Sequence, residues 1–159
     1  MMGLNELYCF AEKEGITVDC FKLHKKEALS LMDSNNECYI AIDPFQLSSS
    51  QDEKLKLTHE LGHCCTGSFY NEYSACDIRQ KCENRADRWA IKQLIAEEEL
   101  DEAVANGHTE IWDLADYFDV TEEFMRKTVC LYTYGNLATE LYFYCLLYTS
   151  PSPRDRSLS

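Results

Sequence analysis

The stretch Leu55–Ser68, LKLTHELGHCCTGS, sets two histidines around a glutamate as His59-Glu60-x-x-His63, with Leu61 and Gly62 between them. Its surroundings read as a helix. Upstream, SSSQDEK offers Ser or Asp caps and acidic first-turn residues, and Gly67 stands where a glycine would terminate about four turns. Residues four apart on a helix differ by roughly 40° in rotation and about 6 Å along the axis. His59 and His63 therefore project from one face, and two imidazoles can reach one ion.

Zinc takes neutral nitrogen ligands, and a catalytic site keeps one position for a water whose pKa falls toward ~7. Glu60 is the candidate base for that water. A third ligand has to come from downstream. The metzincin spacing demands glycine and histidine where this chain has Thr66 and Phe69, so that pattern is excluded. Glu83, predicted to open the next helix at Glu83-Asn84-Arg85-Ala86-Asp87, shares a helix face with Asp87. One carboxylate could complete a two-histidine, one-carboxylate set while the other accepts the outer N–H of a ligand histidine. Two other readings stand beside this one: a solvated acidic face at Glu83 and Asp87, and a thiolate-rich structural site from Cys64, Cys65, Cys76 and Cys82 with the histidines. His24 and His108 have no motif around them and read as surface residues.

The 159 residues suit one domain, expected over residues 1–143, and 45% hydrophobic with 27% charged residues is globular composition. The N-terminus lacks a basic segment followed by an apolar core, and the longest apolar run, Leu141 to Tyr148, falls short of the ~18 residues that span a bilayer. A soluble cytoplasmic protein with no membrane partner is expected. On that basis the nine cysteines read mostly as reduced, small buried hydrophobes. A net charge of −13 repels phosphates, which disfavours direct binding to nucleic acid.

Elsewhere the chain reads as a helix over LNELYCFAEKEG, then two strands in EALSLMDSNNECYIAID joined by Ser34-Asn35-Asn36. After the histidine helix, the segment from Cys82 to Gly107 reads as a long helix broken near Glu99. TEIWDLADYFDVTEEFMRKTVCLY reads as two helices separated by Asp119-Val120, with Thr109 and Thr121 as N-caps. Residues 144–159, ending in TSPSPRDRSLS, are expected to be a non-native or disordered tail.

KLKLTHELGHC, followed by ENRADRWAIKQLI and preceded by CYIAID, resembles the ImmA/IrrE family of zinc metallopeptidases from about Gly15 to Asn106. Trp89 stands where phenylalanine is commoner, and KQLIAEE lacks the family's frequent Leu-Met-Pro. The resemblance implies an α+β, gluzincin-like minimal metallopeptidase: an N-terminal helix and β-hairpin followed mainly by helices. It implies Zn2+ held by His59, His63 and Glu83, with Glu60 as the base acting on zinc-bound water, and leaves Asp87 to orient a ligand histidine. It also implies a substrate, the basic helix-turn-helix repressor of a phage or mobile element. Tyr70, Tyr73 and His108 are reachable candidates for stabilising the oxyanion.

Two other functions stay open: a catalytically weak, zinc-containing antitoxin-like or repressor-binding module, and a helix-turn-helix transcription regulator built on IWDLADYFDVTEEFMRKTV. Six acidic residues there, Glu110, Asp113, Asp116, Asp119, Glu122 and Glu123, oppose only Arg126 and Lys127. That is a poor phosphate binder, and Trp112, Phe118 and Phe124 read as core anchors.

Overall fold

The computed structural model describes residues 1–137, so the predicted tail lies outside the described residues. Among these the chain is α+β, with six helices and a three-stranded sheet. The described residues divide into two compact units, Met2–Gln93 and residues 94–137 together with Met1.

The first unit runs α1 (Leu4–Lys13), β1 (Thr17–Cys20), β2 (Ala28–Met32), β3 (Cys38–Ile42), α2 (Ser50–Thr66) and α3 (Cys76–Leu94). β3 is the central strand, parallel to β1 and antiparallel to β2. The predicted hairpin is present as β2 and β3. Asp33 closes it by accepting from the N–H groups of Asn35 and Glu37 at 2.8 and 2.9 Å, while Asn36 takes the left-handed φ of 62° that asparagine tolerates. β1 escapes the sequence pattern because Thr-Val-Asp-Cys is short and mostly exposed. It forms by pairing with β3, from Thr17 opposite Tyr39 to Cys20 opposite Ile42.

β2 is an edge strand with one side open among the described residues. Asp33 N–H donates to Glu37 C=O at 3.0 Å and Asp43 N–H to Glu27 C=O at 2.9 Å, which fixes the alternation along the hairpin. Residues 27, 29, 31 and 33 therefore direct their backbone polar groups toward β3, and Ala28, Ser30 and Met32 direct theirs toward the open edge.

α2 begins as expected, with Ser49 Oγ accepting from Asp52 N–H at 3.1 Å, and it ends at Gly67, which adopts φ 62°. It packs on β2, β3 and α1. Leu57 and Leu61, one helical turn apart, are fully buried, each contributing about 1.5–3 kcal/mol by removal from water. α1 is tied in by Tyr8, which donates to Glu53 at 2.5 Å, and by Phe10, whose ring lies 5.7 Å from that of Trp89.

α3 starts at Cys76 rather than Cys82, so Glu83 sits in its second turn instead of opening it. The break before α4 (Glu97–Ala105) falls at Ile95-Ala96 rather than near Glu99. Glu99 reaches back to accept from Ala96 N–H at 2.9 Å, which makes it part of the new helix's N-terminal cap. The second unit continues with α5 (Ile111–Tyr117) and α6 (Glu122–Tyr134). Thr121 caps α6 through Phe124 N–H at 3.2 Å. Thr109 does not cap α5, whose N-cap is Glu110 with no side-chain hydrogen bond. In this unit Leu114, Phe118, Val120, Met125 and Leu131 are buried, while Trp112 and Phe124 are only half-buried. No helix among the described residues is long and apolar enough to cross a membrane.

The cysteines correct the sequence reading. Cys38 on β3 and Cys64 on α2 form a disulfide, with Cα atoms 6.0 Å apart, and Cys9, Cys20, Cys65 and Cys76 are exposed. Among the described cysteines outside the disulfide, only Cys82 and Cys130 are buried. The expectation of reduced thiols fails at this pair, because the pairing depends on α2 crossing β3. The bond closes a loop of 26 residues in sequence, and by restricting the unfolded chain it should stabilise by about 3 kcal/mol. Reduction should lower the melting temperature by about 6–12 °C, measured by calorimetry with and without reductant. Cys38→Ala should melt at the same temperature under both conditions.

Candidate metal centre

His59 and His63 lie on the buried side of α2 and turn their Nε2 atoms toward each other, 3.1 Å apart. α3 supplies Glu83, whose carboxylate oxygens stand 3.0 Å from His59 Nε2 and 3.4 Å from His63 Nε2. One ligand atom from each of the three residues lies within 4.8 Å of the others, and this group could hold a metal ion. The donor set, two imidazole nitrogens and one carboxylate, suits a divalent cation such as zinc.

The outer nitrogens are held as well. His63 Nδ1 lies 2.6 Å from the Ser68 carbonyl, which can only accept, so that nitrogen carries the hydrogen and leaves the Nε2 lone pair free. His59 Nδ1 lies 2.8 Å from Asp87 Oδ1, and the Asp87 carboxylate orients that ring in the same way. Glu83 and Asp87, four apart on α3, thus reach the inner and outer nitrogens of one imidazole. Glu60, next to His59, accepts at 2.6 Å from the Ser30 hydroxyl on β2.

Gly62 explains how α3 comes this close. A Cβ at Gly62 would lie 2.6 Å from the Ala86 carbonyl oxygen and 2.9 Å from Ala86 Cα, both backbone atoms that cannot swing aside. The absence of a side chain at Gly62 therefore lets α3 present Glu83 and Asp87 on either side of Ala86. Gly62→Ala gains about 1 kcal/mol in helix propensity but must overpack this crossing. We expect a net loss of about 1–2 kcal/mol in urea unfolding, with weakened metal binding because Glu83 is pushed away.

Charge sets the protonation of the metal-free centre. Burial disfavours the His59 imidazolium, but Asp87 and Glu83 outweigh it and hold the pKa up to about 10. Burial likewise opposes ionisation of Glu83, yet its close contacts with His59 and His63 and the hydrogen bond from Tyr70 keep its carboxyl far below the usual range. Tyr70 donates to Glu83 Oε1 at 2.6 Å, which pushes the phenol up to about 12.

Of the five residues singled out in the sequence, His59, His63 and Glu83 converge, Asp87 contacts His59, and the Glu60 side chain contacts Ser30. Of the three oxyanion candidates, Tyr70 is at the cluster and Tyr73 is 89% exposed. His108 pairs with Asp113 at 2.9 Å within the second unit. The thiolate-rich alternative has no support, since Cys64 is consumed in the disulfide and the cluster among the described residues contains no cysteine. Ser30, Ser68 and the role of Gly62 were missed. Ser30 had one usable signal, a polar residue on the face of β2 where Ala28 is buried.

A three-stranded sheet backed by a helix bearing two histidines four apart, with a glutamate supplied by the following helix, defines a small α+β metallopeptidase domain. The family model described as IrrE N-terminal-like domain, peptidase family M78, matches residues 11–129, and the chain belongs to that family. No curated protein matches the chain.

Proposed function

We propose that the protein is a zinc-dependent endopeptidase in which His59, His63 and Glu83 hold the ion and Glu60 is the general base. The observation that carries this reading is the convergence of both imidazole Nε2 atoms and the Glu83 carboxylate within 4.8 Å. When bound, zinc would supply Lewis acidity toward a peptide carbonyl and a water. Glu60 takes a proton from the water as its oxygen attacks the carbonyl carbon. It then delivers that proton to the amine nitrogen as the C–N bond breaks. Asp87 and the Ser68 carbonyl keep the two rings from rotating during turnover.

The substrate reading is an extended segment lying along β2. The outward backbone groups of Ala28, Ser30 and Met32 offer a ladder to a peptide strand, and Ser30 already touches Glu60. A net charge of −13 accelerates encounter with a basic protein, and together with the family resemblance it favours a helix-turn-helix repressor as the partner. The test is incubation with zinc, a basic helix-turn-helix repressor and casein, with fragments followed by mass. Cleavage of one or two repressor bonds, suppressed by salt and abolished by a chelator, is expected. Equal digestion of casein would remove the dedicated-repressor reading, and digestion of neither would favour a binding module.

A further inference from the structure

Ser30 is 9% exposed, sits on an edge strand and belongs to no metal-binding motif, yet its hydroxyl donates to Glu60 Oε2 at 2.6 Å. We propose that Ser30 is a positioning residue that aims the Glu60 carboxylate at a peptide lying along β2, an inference that rests on the peptidase reading above.

Three observations carry it. The Ser30 hydroxyl bonds one Glu60 oxygen and so restricts the rotation of a side chain that α2 alone would leave several rotamers. The same residue directs its backbone N–H and C=O to the open edge of β2, so one residue joins the edge to the base. The strand itself is fixed: Ser30 lies opposite Ile40, which is 1% exposed, and Cys38 on that neighbouring strand is bonded covalently to α2. Register between base and edge is therefore built into the scaffold, and Ser30 transmits it. A slip of one residue in β2 would turn the hydroxyl to the opposite face of the sheet.

The experiment compares wild type, Ser30→Ala and Ser30→Thr in the full chain. Ser30→Ala removes one oxygen and leaves the packing otherwise intact. It should bind zinc with unchanged stoichiometry, keep KM within about twofold and lose about ten- to hundredfold in kcat, the range for deleting a hydrogen bond to a charged group. Ser30→Thr keeps the hydroxyl and should recover most of that loss. A second readout needs neither metal nor turnover. In chelator-treated protein, Ser30→Ala should lower the urea midpoint in the wild-type background and lower it less in Glu60→Ala, because the partner is already gone. An unchanged kcat in Ser30→Ala, or equal midpoint shifts in both backgrounds, overturns the assignment of Ser30. A wild type without turnover whose urea cycle still shows coupling overturns the peptidase reading instead, and the catalytic purpose of the contact with it.

Discussion

Glu60→Gln should bind zinc as the wild type does and lose about 10²–10⁴-fold in turnover. Glutamine keeps the length and shape of glutamate, and its amide oxygen can still accept the Ser30 hydroxyl that lies 2.6 Å from Glu60 Oε2. What it lacks is basicity, so no proton can move from water to the leaving nitrogen through it. Neither metal ligation nor folding depends on that proton. Metal content by elemental analysis and hydrolysis of the repressor or a derived peptide separate the two properties. A variant that lost zinc along with activity would mean that Glu60 helps to build the centre, and an active one would exclude Glu60 as the base.

The second large effect is expected at the ligands themselves. Glu83→Ala and His59→Ala should each weaken zinc binding by at least about a hundredfold, more than the 10- to 100-fold typical for removal of a residue that only orients a ligand. Proton release gives an independent check. With the His59 pKa held at about 10 in the metal-free protein, the ring is protonated at neutral pH, whereas ligation needs its Nε2 lone pair. Zinc uptake at pH 7 should release about one proton from this group, and apparent affinity should climb by about tenfold per pH unit until pH 10. The sign is opposite for the metal-free fold. There the charged ring is stabilising, with its full contribution present below the ordinary pKa of 6.5 and lost as pH rises through about 10. Competition with a zinc dye across pH measures the first, and urea unfolding of chelated protein measures the second. Full zinc occupancy in Glu83→Ala would remove it from the ligand set.

What could be read from the sequence was whatever depends on neighbours a few residues apart. The cap at Ser49, the glycine stop at Gly67 and the four-residue spacing of His59 and His63 are local, and so is the pairing of Glu83 with Asp87 on one helix face. The hairpin was legible from its Asn-rich turn between two apolar runs. The unread features all depend on contacts distant in the chain. β1 has too few residues to display a period and is a strand because β3 lies beside it. The Cys38–Cys64 bond follows from how α2 crosses β3, a geometry no cysteine spacing encodes. Gly62 looked like one of two unspecified positions inside a motif, and its importance appears only with the Ala86 backbone at 2.6 Å from where a Cβ would be.

The open side of β2 has a cost outside catalysis. A strand whose outer amides and carbonyls have no strand partner among the described residues, and with Leu31 57% and Met32 39% exposed, is a template on which any other extended chain, including a second copy of itself, can extend the sheet. The peptide docking proposed at that border leaves no room for a permanent neighbour that would seal it. Protection then comes from the ends, where Lys25, Lys26 and Glu27 precede the strand and Asp33 follows it, charges that discourage long apolar stacking while leaving the outward backbone groups of Ala28, Ser30 and Met32 open. The tendency to self-associate should therefore grow when those flanking charges are neutralised, even though none of them lies in the metal cluster.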